Sequence, residues 1–261
     1  MIPNGTGFFV GVQDEKIKNR SFVYLVTAKH VISNTDGNPF KSIYIRVNKK
    51  DLGSEYKEIM LVGEQSVPVL THKEATVDIA VIPVPFAPEL NTLAVKSLDS
   101  SLICTVEKYK AANIREGDDV FFVGLFAPFF GAQRNYPVVR FGRVAMITDE
   151  KIPWDNQMMD LYLIESQSFG GNSGSPVFFY LGITREPGDL IVGGAKILLA
   201  GVMQGTFQVG KDIKVIESRN IPIYFQNIGI AAVVPSYKLY DILFSDELRS
   251  IRNRISELNS N

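Results

Sequence analysis

Three things are scarce in this 261-residue chain: cysteine, histidine and any surplus of one charge. Cys104 is the only cysteine, so no intrachain disulfide can form, which favours a reducing compartment over the oxidising ones where disulfides persist. It follows Leu102 and Ile103, a context in which a free thiol reads as a small core residue. Lys and Arg number 27 against 28 Asp and Glu, a formal charge of −1. Without a positive excess to neutralise phosphates, no nucleic-acid partner is expected. No stretch approaches the roughly 18 consecutive apolar residues of a spanning helix, so no membrane partner is expected either. Met1-Ile2-Pro3-Asn4-Gly5 has neither the basic start nor the apolar run of a secretory signal. The expectation is a soluble, cytoplasmic protein. The two histidines, His30 and His72, have no cysteine or i,i+4 histidine beside them, so a metal site is not expected.

What is plentiful is short strand pattern punctuated by turn residues. Gly7 to Val12 and Ser21 to Thr27 form a first pair across the charged loop Gln13 to Arg20. Ile43, Ile45 and Val47 alternate with polar residues, as in a half-buried strand. Lys57 to Val62, Val67 to Leu70 and Ile79 to Val84 continue the series, and strands resume from Asp119 to Val234. About six short strands per half fit an all-β fold of two antiparallel six-stranded barrels. The predicted division is a barrel over 1–98, a linker over 99–116, a second barrel over 117–235 and an amphipathic helix over 236–261. In that last segment Leu239, Ile242, Leu243, Leu248, Ile251, Ile255 and Leu258 recur at helical spacing, and Ser236 is a candidate N-cap. The helix is expected to pack on its own barrel.

Three motifs carry chemistry. Gly170-Gly171-Asn172-Ser173-Gly174-Ser175-Pro176 offers a serine on a sharp turn, with amides of Gly171 and Ser173 free to meet a developing oxyanion. Alone, it reads equally as a β-turn entering Val177-Phe178-Phe179. Thr27-Ala28-Lys29-His30-Val31 ends an apolar strand on a histidine, whereas His72 sits in the polar stretch Thr71 to Glu74 and is expected to be solvated. Thr76-Val77-Asp78-Ile79-Ala80-Val81 sets one carboxylate in an apolar run, where burial demands a hydrogen-bond partner such as an imidazole N–H. Alone, Asp78 reads as well as a structural strand-edge residue. The order histidine, aspartate, serine makes coincidence a poor account of the three.

On these motifs the sequence resembles the chymotrypsin-like serine peptidases, and within them the Htr-type (Deg-like) branch without an appended PDZ domain. Gly5-Thr6-Gly7-Phe8-Phe9, Gly117-Asp118-Asp119-Val120 with Val123-Gly124, Gly142-Arg143-Val144 and Gly229 to Ser236 resemble further parts of that branch, over about residues 5 to 240. The resemblance implies a triad of His30, Asp78 and Ser173, an oxyanion hole of the Gly171 and Ser173 amides, and no metal or organic cofactor. It implies Gln167 and Ser168 at the floor of the pocket for the residue before the cut, and Met203, Gln204, Gly205 and Thr206 as the strand that pairs with substrate. The floor has no Asp, which speaks against a preference for Arg or Lys. Asn172 stands where the trypsin branch has the Asp that pairs with a new amino terminus, so that activation route is not implied.

The implied substrate is a protein or peptide. Loops Ala127 to Tyr136 and Phe207 to Asn227 suit substrate gating or an activating protein partner, although ordinary surface loops are the plainer account. Two rivals stand beside a constitutive enzyme: a catalytically silent fold used as a protein-binding module, and a protease switched on by a partner. An esterase elbow is disfavoured, because there the histidine follows the serine in the chain.

Overall fold

The computed structural model describes residues 3–86, 89–90, 92–166, 171–182, 195–212 and 223–258; for residues 208–212 and 223–227 the backbone alone is described. In the N-terminal half, β1 (Gly7–Gln13) and β2 (Ser21–Thr27) pair antiparallel, with Gly7 opposite Thr27. A 3-10 turn, Lys29–Ile32, follows β2. The hairpin of β3 (Ser42–Asn48) and β4 (Ser54–Met60) comes next, then β5 (Leu70–Thr71), β6 (Ala80–Pro83) and β7 (Leu98–Asp99). Strands run in the order β5-β6-β2-β1-β7 in a five-stranded sheet, and the β3–β4 hairpin is a separate two-stranded sheet. This half therefore closes through side chains rather than a continuous ladder. Val47 and Ile59 of the hairpin pack with Leu25, Ala80 and Ile82 of the sheet in one buried cluster.

A helix, α1 (Val106–Ala111), capped by the Thr105 hydroxyl, leads into the C-terminal half. There β8 (Asp119–Gly124), β9 (Val138–Met146), β12 (Tyr162–Glu165), β13 (Pro176–Leu181), β14 (Lys196–Asp212) and β15 (Ile223–Pro235) form a closed barrel, β12-β15-β14-β13-β8-β9. The small hairpin of β10 (Ile152–Trp154) and β11 (Gln157–Met159) stands outside it. The expected all-β architecture with a C-terminal helical segment is present, and its second barrel is fully closed.

Three sequence expectations need correction. Part of the stretch expected as a loop, Phe207 to Asn227, is a hairpin arm, in which β14 and β15 stay paired from Gln208↔Asn227 out to Asp212↔Ile223. The terminal helix is two helices, α2 (Ser236–Leu243) and α3 (Asp246–Leu258). They break where Phe244 leaves helical geometry and the Ser245 hydroxyl accepts from the Leu248 amide at 3.4 Å. Ser236 is not an N-cap: Pro235 holds that position, and the buried Ser236 hydroxyl lies 2.9 Å from Cys104 O and 2.6 Å from Leu199 O.

One core joins the halves. Val10, Val12, Tyr24 and Val26 of the first sheet share a buried cluster with Leu199, Val202 and Val234 of the barrel and with Leu239, Ile242, Leu243 and Leu248 of the helices. Buried Arg252 of α3 donates to Leu243 O at 2.7 Å and lies 3.4 Å from the Tyr24 hydroxyl. The helices thus pack across both halves rather than on the barrel alone.

Candidate active site

The register of β2 against β6 brings His30 to Asp78. Thr27 pairs with Ala80, so the residues just past the ladder, Lys29 and Asp78, face each other, and the Lys29 amide donates to Asp78 O at 3.3 Å. The 3-10 turn then points the next backbone amide, that of His30, at Asp78 Oδ1 (2.9 Å), while His30 Nδ1 lies 2.5 Å from Asp78 Oδ2. A carboxylate only accepts, so Nδ1 carries the proton and Nε2 is left as a base. Asp78 is buried and the His30 side chain is 47% exposed. Burial opposes charge on His30, but the hydrogen bond and charge of Asp78, helped by the charge of Asp155, outweigh it and raise its pKa.

Ser173 lies on the turn before β13, where the Ser175 amide donates to Asn172 O at 3.0 Å. Gly174 (φ +83°) donates to Met203 O at 2.8 Å, and Met203 donates back to Ser175 O at 2.9 Å, which ties the turn to β14. A Cβ at Gly174 would sit 2.1 Å from Thr6 O and 3.0 Å from the Ala28 amide nitrogen, two residues before His30. The turn reaches the histidine segment only because this residue has no side chain. Among the described residues the Ser173 hydroxyl bonds to Gln204 O, at 3.2 Å, and not to His30. The amides of Gly171 and Ser173 have no acceptor among the described residues.

Thr6, which the sequence shows only as part of the Gly5-to-Phe9 resemblance, has a role that motif reading does not assign. Its amide donates to Ser173 O (2.9 Å), its hydroxyl donates to Gly171 O (2.8 Å) and accepts from the Leu125 amide (3.0 Å), and its carbonyl accepts from the Thr27 hydroxyl (2.7 Å). One threonine thus ties the serine turn to the strand that ends near His30. A lone hydroxyl between Gly5 and Gly7, where close backbone approach is possible, was the available signal.

Met203 and Gln204 are buried and Gly205 and Thr206 half-buried on β14. Pairing of β13 with β14 ends at Pro176↔Val202, Met203 is still bonded to Gly174 and Ser175, and β15 accompanies the other edge, so among the described residues no strand pairs with the first edge of β14 from Gln204 on. Trp154 lies over Gly205, where a Cβ would come 3.1 Å from its ring, and meets Phe207 edge-on at 4.8 Å. Gln167 and Ser168 lie outside the described residues. A cavity of about 360 Å³ is lined by Gly142, Arg143, Glu165, Ser166 and Gly229.

His72 is not solvated as expected. It is buried against α2, with Nδ1 accepting from the Glu74 amide (3.0 Å) and Nε2 3.4 Å from Asp241 Oδ2. Next to it, Lys238 bridges Glu74 and Asp160, each at 3.0 Å. Cys104 is buried, and burial pushes its thiol up to about 11, far from a thiolate nucleophile. Loop Ala127 to Tyr136 is docked on the β3–β4 hairpin: Arg46 donates to Gly131 O (2.7 Å) and Ala132 O (3.0 Å), and Asn135 and Asn48 exchange amide bonds.

The family profile for the trypsin-like peptidase domain matches residues 5–182. A comparison with curated proteins found no match. Among solved structures the chain is similar to the MamO protease domain of Magnetospirillum magneticum (13% identity, 92% of this chain and 96% of that one, TM-score 0.45). It is also similar to Rv3671c of M. tuberculosis in an inactive form (15%, 92% and 79%, 0.44) and to the NS6 protease of murine norovirus 1 (11%, 90% and 87%, 0.42).

Proposed function

Because the chain belongs to the trypsin-like peptidase family, we propose that it is a serine endopeptidase in which Ser173 attacks the scissile carbonyl and His30 takes its proton. The observation that carries this reading is the double hold of Asp78 on His30, through Nδ1 and the backbone amide, which leaves Nε2 as the base. Asp78 would stabilise the imidazolium formed as the proton arrives. The amides of Gly171 and Ser173, without an acceptor among the described residues, would receive the oxyanion, each such donor contributing about 10²–10³ in rate. His30 would then protonate the leaving amine, and water would release the acyl group. The β14 segment Met203 to Thr206 would meet the acyl half of the substrate, with the edge from Gln204 on left to pair with it, and a neutral side chain before the cut is the reading for Gln167 and Ser168. No metal or organic cofactor enters this scheme. The single buried Cys104 supports a reducing, cytoplasmic setting.

One observation favours a second reading, that of a silent fold kept for binding or a protease awaiting a partner. The Ser173 hydroxyl donates to Gln204 O rather than to His30, so that bond must be given up before His30 can take its proton. A fluorophosphonate probe separates these. The enzyme reading expects labelling of the wild type and none of Ser173→Ala. Labelling only after a partner is added supports the switched form, and none under either condition rejects the enzyme reading.

A further inference from the structure

Beside the serine turn lies a cavity of about 480 Å³, within the about 300–1,000 Å³ usual for ligand pockets. Its walls include Val31 next to His30, Phe9 and Leu25 of the first sheet, Ile43 of the β3–β4 hairpin, and Phe130 and Tyr136 of the docked loop. We propose that this cavity receives a large apolar or aromatic side chain from the part of the substrate that leaves first, the segment following the cut bond. The inference rests on the serine endopeptidase reading above.

Position sets which half of the substrate is involved. Ser173 has two flanks: its hydroxyl faces Gln204 on β14, while its carbonyl accepts from the Thr6 amide. The open edge of β14 serves the acyl half. Gly5, Thr6 and Val31 line the cavity and no residue from Met203 to Thr206 does, so it lies on the opposite flank. During acylation the Ser173 Oγ–carbon bond forms, the carbon–nitrogen bond breaks, and the serine proton passes through His30 to the departing amine. The chain attached to that amine is the one directed toward Thr6 and the cavity.

Chemistry sets the side chain. Arg46 is the one charged residue among the described residues lining the cavity, and each of its three nitrogens already donates one hydrogen bond, to Ser54 Oγ (2.8 Å), Gly131 O and Ala132 O. A cationic side chain would meet the like charge of Arg46 and no anion among the described lining residues, and an acidic one would give up its hydration beside a guanidinium already held by three neutral oxygens. The aromatic wall is itself held: Phe129 stacks on Tyr136 at 6.3 Å, and Arg46 lies over Phe130 at 5.9 Å.

The test is an internally quenched peptide series on the full chain, varied at the first two positions after the cut, beside an activated ester that has no leaving peptide. The expected result is a preference of about tenfold or more in kcat/KM for Phe, Tyr or Leu over Ala, Ser or Glu at one of those positions. In Phe130→Ala that ratio should fall several-fold. Tyr136→Ala, at a 51% exposed residue, provides the same readout if Phe130→Ala fails to fold. A flat profile in a protein that cleaves the ester overturns the proposal and leaves the peptidase reading standing, as does a preference unchanged in both variants. Inertness toward peptide, ester and fluorophosphonate overturns the peptidase reading, and the proposal with it.

Discussion

Replacing Gly174 by alanine should separate two kinds of damage that a glycine substitution can do. At φ +83° any L-residue pays for left-handed backbone, about 1–2 kcal/mol. The new Cβ would also meet Thr6 O at 2.1 Å, Thr27 Oγ1 at 2.4 Å and the Ala28 nitrogen at 3.0 Å. Two of these are backbone atoms that no rotamer change can move, so an overpacking penalty of about 1–3 kcal/mol is added. Gly37 is a matched control, with φ +80° and nothing within 4 Å of a Cβ. Gly37→Ala should therefore cost about 1–2 kcal/mol and Gly174→Ala about 2–5 kcal/mol. At about 2–4 °C per kcal/mol for a domain near this size, the control loses about 2–8 °C in Tm and Gly174→Ala about 4–20 °C. Function separates them further. Relief of the clash must shift the Ser173 turn, and a 1 Å misplacement costs about 10²-fold in rate. Thermal melts and fluorophosphonate labelling rates on the same samples provide both readouts. If Gly174→Ala matches Gly37→Ala in melting and labelling alike, the close approach assigned to Gly174 does not exist.

The acid limb of kcat/KM should lie above the ordinary histidine value of about 6.5, because His30 must be neutral to accept a proton and its pKa is raised. Asp78→Asn removes the main causes of that rise, so the limb should move to lower pH as the rate falls by about 10⁴; a limb that stays put refutes the assignment. The same shift carries a stability sign: the pair's contribution is complete below the unfolded histidine pKa and is lost as pH rises through the folded one, which urea midpoints against pH will reveal. Thr6→Val keeps volume but removes the hydroxyl bonds to Gly171 O and the Leu125 amide, so labelling should slow about 10–100-fold for about 1–3 kcal/mol of lost hydrogen bonding. An unchanged labelling rate would deny Thr6 a positioning role. Lys238 holds the Glu74 carboxyl below its usual range by hydrogen bond, and with Lys151 overcomes burial to do the same at Asp160. Those contributions exist above the unfolded carboxylate pKa values and vanish as pH falls through the folded ones. Lys238→Met should accordingly cost about 1–3 kcal/mol near neutrality, allowing for the partial exposure of both carboxylates, and the gap should close in acid; a pH-independent gap would refute the account.

Legibility in the sequence followed the range of the interaction. His30 and Asp78 were readable because each interrupts a local pattern, a strand end and an apolar run, and the β2–β6 register joins the two patterns. The serine turn was readable from its glycines, and the second barrel from its spaced strands. The burial of His72 was hidden because its cover, Asp241 on α2, lies 169 residues later in a chain position that local polarity cannot reveal. Arg46 likewise looks like an exposed strand residue until a loop 85 residues away supplies its carbonyls. The break between α2 and α3 is hard to read because apolar residues recur on both sides of it; its one trace is the five-residue step from Leu243 to Leu248, about 140° off a single helical face, where Ser245 caps the second helix. The hairpin arm beyond Phe207 reads as loop in the sequence because mixed composition masks a pairing that continues from the barrel.

The shared core has a consequence for the order in which the molecule can be made. Val10, Val12, Tyr24 and Val26 emerge from the ribosome early, yet part of their cover, Leu239, Ile242, Leu243 and Leu248, is translated more than 200 residues later. The first sheet can pair its strands as it emerges but cannot finish burying that face until the helices arrive. A nascent chain stalled before Ser236 would therefore carry the His30 and Ser173 motifs while still offering an uncovered apolar surface to chaperones. Synthesis itself therefore sets the moment at which that face of the first sheet is covered, and it comes only after every strand of both halves has been made.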